Sequence, residues 1–223
     1  MELAPGLVTP GWYDCRRVAG RVLPPRCEGL RCLDIGTFDG FWAFQMERLG
    51  AAEVVAIDIL DESRWDWPVM TRARNREAIV DMKGSGDGFL IASEALGSQV
   101  VRVDASVYDL DPAEHGEFDL VYLGSLLWHL RDPVLALERI RAVCRGVLVS
   151  TDAISLPLTL IPIALANLDG RDRPYWWKPN RKGYARLVEV AGFRLVSPPR
   201  LFLMPPGPGL KTVPINRASL GTQ

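Results

Sequence analysis

Five short, β-forming and almost wholly apolar runs recur along the chain with helical text between them: residues 33–35, 54–57, 100–103, 118–123 and 147–150. Strands without polar alternation are covered on both faces, which points to a parallel sheet whose crossovers are helices. The helices are marked by their ends. Residues 41–49 close at Gly50, residues 89–96 close at Gly97, and residues 133–144 follow Asp132 as N-cap with Pro133 in the first helical position. In that last helix Val134, Leu137, Ile140, Val143 and Cys144 fall on one stripe, so it packs on the sheet. The expected fold class is α/β, a doubly wound, mostly parallel sheet. Closing segments at 193–196 and 201–204, after a helix over 183–191, bring it to seven strands.

With 223 residues, 48% of them hydrophobic and 24% charged, the chain can bury one sizeable core. A formal net charge of −1 supplies no overall basic field, which argues against nucleic acid as a partner. Cys15, Cys27, Cys32 and Cys144 form no C-x-x-C pair, and the two histidines, His115 and His129, lie far from most of them. Reduced thiols are expected, with no metal site. The opening residues lack a basic segment followed by an apolar run, and the apolar stretch 153–166 is too short to span a bilayer and contains Pro157 and Pro162. A cytoplasmic protein without a membrane partner is expected.

Composition divides the chain into an N-terminal segment (1–30), a main domain (31–204) and an extended tail (205–223). Within the domain, residues 154–182, "ISLPLTLIPIALANLDGRDRPYWWKPNRK", are rich in proline and large aromatics and keep no period, which marks an inserted lid. The glycine-rich Gly84-Ser85-Gly86-Asp87-Gly88 follows Asp81-Met82-Lys83 and not a strand, so it is read as a connector and not a phosphate loop. Residues 61–82 exceed a simple link, and Trp65 and Trp67 within them either close over a bound base or pack on the sheet edge, packing being the default.

The stretch "CLDIGTFDGFWAF", Cys32 to Phe44, is a buried strand, a tight turn and the first turn of a helix. In a doubly wound sheet the crevice beyond the strand ends is the ligand site, and this turn stands beside it. Gly36 and Gly40 are expected to let backbone amides approach a ligand. The next strand ends at Asp58, where a carboxylate can accept from both hydroxyls of a ribose. A nucleoside-containing cofactor is implied. The text from Gly36, G-T-F-D-G-F, lacks the dinucleotide glycines, and no G-K-[ST] follows it.

At these residues the sequence resembles the class I S-adenosylmethionine-dependent methyltransferases, over about residues 31–204. Asp34-x-Gly36-x-x-x-Gly40 looks like their first motif, Asp58 like the ribose acid and Val103-Asp104-Ala105-Ser106 like the segment that meets adenine. Residues 118–121 through Leu127-Trp128-His129-Leu130 look like the fourth motif, followed by Arg131-Asp132-Pro133. The resemblance implies a Rossmann-like class I fold and S-adenosyl-L-methionine as cofactor. It places Gly36, Thr37, Phe38 and Gly40 at the methionine part, Asp58 with Ile59 at the ribose, Asp104 at the adenine amino group, the Ala105 backbone at a ring nitrogen, and Ser125 at the amino end. Phe38 stands where many members carry glycine, which narrows that end of the pocket.

Methyl transfer is an in-line displacement, so the protein must hold the acceptor behind the methyl group and exclude water. His129 is the best-placed base, or else a packing residue that links strand to helix. Trp12, Tyr13, Trp128, Tyr175, Trp176 and Trp177 form an aromatic wall for the substrate, or bury the interior of the lid. The layout "LWHLRDP…RPYWWKPN" resembles the methyltransferase domain of the tRNA wobble-uridine carboxymethyltransferase group. The expected function is methylation of a small-molecule acceptor; the alternatives are a tRNA base as acceptor, or a non-catalytic cofactor-binding protein. Oligomeric state is left open.

Overall fold

In the computed structural model, which describes residues 1–72, 86–171 and 174–210, the five anticipated runs are the strands of one sheet. A short antiparallel pair, β1 (Glu2–Ala4) and β2 (Leu7–Val8), and a single-turn helix α1 (Ala19–Val22) precede them. The sheet comprises β3 (Arg31–Ile35), β4 (Glu53–Asp58), β5 (Val101–Asp104), β6 (Phe118–Gly124) and β7 (Cys144–Thr151), in the order β5-β4-β3-β6-β7 and parallel throughout. Around it lie α2 (Phe41–Arg48), α3 (Asp87–Leu96), α4 (Pro112–His115), α5 (Pro133–Val143), α6 (Leu156–Thr159) and α7 (Arg181–Val190). The chain builds outward from β3 in one direction and then in the other, so the strand order reverses between β3 and β6.

The two-residue period of each strand sorts its side chains into two cores. Leu33, Ile35, Val55, Ile57, Val121 and Leu123 meet α5 and α7 through Leu137, Ile140 and Val188. Cys32, Val54, Ala56, Leu120 and Tyr122 meet α2 and α3 through Ala43, Met46, Phe89 and Ala92. All four cysteines are free thiols, and Cys27, Cys32 and Cys144 are buried. The α5 stripe packs as expected, and Asp132 caps that helix by accepting from the Leu135 N–H at 2.9 Å.

Two elements depart from the sequence reading. The central sheet has five strands among the described residues, because residues 193–196 and 201–204 do not pair with β7. Ser197-Pro198-Pro199 lies between them and removes two backbone donors where a hairpin needs them; Phe193 and Leu195 instead cover the core by packing, while Val196 and Leu203 face solvent. The lid, read as periodless, contains an antiparallel pair, β8 (Ala166–Leu168) and β9 (Trp177–Pro179). Its register is set by backbone pairing between distant residues and leaves no local periodicity. The described part of the tail runs along the N-terminal segment: the Asp14 and Gly207 N–H groups donate to the Pro205 and Trp12 carbonyls at 2.9 and 2.7 Å. Gly84, Ser85 and residues 73–82 of the long link lie outside the described residues.

Two carboxyls, Asp34 buried and Asp152 on a half-buried residue, fix the loops at the strand ends. Asp34 Oδ2 accepts from the Thr37 hydroxyl at 2.7 Å and from the Ala43 N–H at 3.1 Å, tying the turn after β3 to the first turn of α2. Asp152, just past β7, accepts from the Leu127 N–H at 2.7 Å and from the Ala153 N–H at 2.8 Å, which holds the loop after β6. Burial pushes each carboxyl up to about 7, against the pull of these hydrogen bonds.

Two measurements test this arrangement. Gly40 has φ +83°, and a Cβ there would run into the rings of Phe44 and Phe89; Gly40→Ala is expected to cost about 3 kcal/mol in denaturant melts. Because Asp34 and Asp152 keep their protons in the folded state where the unfolded chain has lost them, stability is fullest in mild acid and falls as pH rises from about 4 to about 7. Asp119, held down at about 2 first by the Arg145 guanidinium, acts in the opposite sense only in stronger acid. Melts at pH values on either side of that window read the fall, and Asp34→Asn, which keeps an acceptor for Thr37 and Ala43, is expected to flatten part of it.

Candidate active site

The loops after β3, β4, β5 and β6 line a crevice at the strand-order reversal, one part of an open void of about 2390 Å³ that continues along β7 and residues 192–204. Gly36, Thr37, Phe38, Asp58, Ile59, Ala105 and Ser125 line it, as do Trp12, Tyr13, Trp128, His129 and Tyr175. The turn after β3 and the turn after β6 hold the two non-glycine residues with positive φ among those described, Phe38 at +52° and Ser125 at +54°. Left-handed backbone at a side-chain-bearing residue is unfavourable and persists where the surroundings over-determine it, as at ligand sites. The positive φ also explains why glycine would suit the position of Phe38.

Asp58 ends β4 and faces this turn. Its Oδ2 accepts from the Phe38 N–H and its Oδ1 from the Ile59 N–H, each at 2.8 Å. A carboxylate oxygen accepts along two lone-pair directions, the acceptor chemistry that vicinal hydroxyls require. The Ala105 N–H donates to the Asp58 carbonyl at 3.2 Å, locking the loop after β5 to the end of β4. Asp104 turns away: its Oδ1 accepts from the Leu60 N–H at 3.2 Å and pairs with the Arg64 guanidinium at 3.3 Å, and it does not line the crevice. Gly40 also stands outside the lining, and its missing side chain makes room for Phe44 and Phe89. At Gly36 a Cβ would crowd Leu126 at 3.2 Å. Gly40 thus answers to φ and packing inside the protein and stands apart from the crevice it was expected to open, whereas Gly36 packs on Leu126 and also lines the crevice.

The aromatic wall divides into two parts. Trp128 and Tyr175 stack with centroids 4.9 Å apart and planes 5° from parallel, with the Lys178 ammonium 4.8 Å from the Tyr175 centroid. The Trp128 indole N–H donates to the Ser125 carbonyl at 2.9 Å. Trp176 and Trp177 do not line the crevice; their indoles donate to the carbonyls of Asp66 at 2.7 Å and Arg131 at 3.1 Å, pinning the lid down. Trp12 and Tyr13 line the crevice from the N-terminal side and are half exposed. His129 Nδ1 donates to the Pro174 carbonyl, which keeps a proton on that nitrogen.

The sequence reading passed over Asp66 and Tyr108. Asp66 Oδ2 accepts from the Tyr108 hydroxyl at 2.7 Å and the Arg131 N–H at 2.6 Å, and Oδ1 pairs with the Arg131 guanidinium at 3.3 Å. One carboxylate thereby joins the loops after β4, β5 and β6, and its own carbonyl takes the lid through Trp176. The only local signal was an acid set between Trp65 and Trp67. Trp65 itself is buried, with its indole N–H on the Ile59 carbonyl at 2.9 Å, as a packing residue should be.

Residues 33–147, more than half of the chain, match the methyltransferase domain family. No curated protein matches the sequence. Among solved structures, the PH0226 protein from Pyrococcus horikoshii OT3 is similar with TM-score 0.53 and 16% identity over 82% of this chain and 86% of that one. The magnesium protoporphyrin IX methyltransferase ChlM from Synechocystis PCC 6803, with bound SAH, gives 0.51 and 17% over 75% and 65%. The [4+2]-cyclase SpnF gives 0.53 and 17% over 81% and 58%. The chain spans less than two thirds of the latter two, and at these identities the likeness is one of fold. The family match rests on the segment that builds the strand-end crevice, from β3 through the loop after β6 into β7: the chain belongs to the methyltransferase domain family, whose cofactor is S-adenosylmethionine.

Proposed function

We propose that the chain methylates a small-molecule acceptor from S-adenosylmethionine, with the acceptor seated beneath the Trp128–Tyr175 pair. The observation that carries this reading is the pairing of two strained turns, at Phe38 and Ser125, with the Asp58 carboxylate at the point where the strand order reverses. The residues fit the cofactor: Asp58 would take the ribose hydroxyls, the Gly36–Phe38 turn and Ser125 the methionine part, and the loop at Ala105 the adenine. The cofactor supplies a sulfonium methyl for in-line displacement. The chain holds the acceptor, excludes water with the lid, and offers His129 Nε2 as the nitrogen able to receive the acceptor's proton while Nδ1–H stays on the Pro174 carbonyl.

The formal net charge of −1 favours this acceptor over a tRNA base, despite the layout shared with the wobble-uridine enzymes. A structure of like fold is named as a [4+2]-cyclase, so the fold alone does not establish transfer. Two readouts are therefore needed. Titration calorimetry with S-adenosylmethionine and S-adenosylhomocysteine is expected to show binding to wild type and a loss of about a hundredfold in Asp58→Ala, as two charge-assisted hydrogen bonds disappear. Release of S-adenosylhomocysteine with a panel of small acceptors is expected to fall in His129→Ala with cofactor affinity kept; a cofactor that binds and is never consumed would leave a binding protein.

A further inference from the structure

The lid presents an apolar surface for which methyl transfer has no use. Leu160 is 88% exposed, Leu168 62% and Ile163 59%, with Leu156 and Ile161 also exposed, and no charged residue occurs between Ala153 and Asn167. The backbone beneath these side chains is turned inward. Asn180 is fully buried; its Nδ2 donates to the carbonyls of Leu158 and Ile163, each at 2.9 Å, and its Oδ1 accepts from the Leu165 N–H at 3.2 Å. The Lys182 ammonium takes the Pro162 carbonyl at 2.6 Å. A loop facing water has no need of such partners, since water supplies them. A loop facing hydrocarbon does, because an unsatisfied carbonyl there is strongly unfavourable.

Charge indicates which apolar medium. Residues 153–182 hold five basic and two acidic side chains in a chain of formal net charge −1, and Arg171, Arg181 and Lys182 are exposed around the apolar loop. A second copy on the same face would set like charges against each other; an anionic lipid surface would neutralise them. Leu156 borders the void that includes the crevice as well as the exposed face.

We propose that the lid seats on an anionic bilayer surface, with Leu160 and Ile163 entering the headgroup boundary, and that the acceptor is a membrane-resident amphiphile. The second half rests on the methyl-transfer reading; the docking does not. It revises the sequence expectation of no membrane partner without implying a spanning segment, and no helix among the described residues is long and apolar enough to cross a membrane.

The test is co-sedimentation of the full chain with vesicles of phosphatidylcholine alone and of equal parts phosphatidylcholine and phosphatidylglycerol. Wild type is expected to pellet with the mixed vesicles and to be released as salt rises. Leu160→Asp with Ile163→Asp, both on exposed side chains, is expected to weaken partition about a hundredfold, and Arg181→Glu about tenfold, while calorimetric affinity for S-adenosylmethionine is kept. Wild type that stays in solution with both vesicle types, or a double variant that pellets as well as wild type, overturns the docking. So does a wild-type dimer in sedimentation velocity that the double variant dissolves, since the face then belongs to a second copy. Vesicle binding without cofactor binding overturns the acceptor half and leaves the docking standing.

Discussion

The crevice depends on two carboxylates at the ends of adjacent strands. Asp34, one residue before the end of β3, reaches forward to Thr37 and to the first turn of α2; Asp58, the last residue of β4, reaches across to Phe38. Between them they define both ends of a turn that includes a left-handed phenylalanine. Each does so through backbone or hydroxyl donors, and the packing of Leu126, Phe44 and Phe89 against Gly36 and Gly40 completes the turn. The parallel register of β3 with β4, which pairs Asp34 with Ala56 and Ile35 with Ile57, brings the two acids to the same rim.

Much of this was legible in the text of the chain, for identifiable reasons. Short apolar runs set between helix signals read as strands covered on both faces, which holds for β3, β4 and β6 while the edge strands β5 and β7 are largely exposed, and helix ends at Gly50, Gly97 and Asp132 are local chemistry. What escaped was set by distant partners. The β8–β9 pair takes its register from backbone bonds across the lid, and Asp66 gains its place from residues 42 and 65 positions away in sequence. The closing strands failed because β-propensity at 193–196 and 201–204 is outweighed by the prolines between them. Gly40 was read for the wrong neighbour: the ring that needs its missing Cβ belongs to its own helix, at Phe44, and to α3, at Phe89.

The two halves of the crevice differ in what determines them. The side under β3, β4 and β5 is made of strand ends and tight turns, and it is the part the family match covers. The side under the lid is made of stacked rings and long-range backbone bonds from a segment outside that match, with Tyr175, Lys178 and Pro174 meeting Trp128 and His129. A fold-level likeness therefore informs the side under β3, β4 and β5 and is silent about the residues that the lid adds.

The Asp66 junction carries a mechanical consequence. Its side chain and carbonyl join the loops after three strands to the lid, so a displacement of any one of these segments must break or drag a hydrogen bond to another, charge-assisted at the Tyr108 hydroxyl and the Arg131 N–H and neutral at the Trp176 indole. Shifting the loop after β5 and shifting the lid at Trp176 thus both pull on one residue, the first through its carboxylate and the second through its carbonyl.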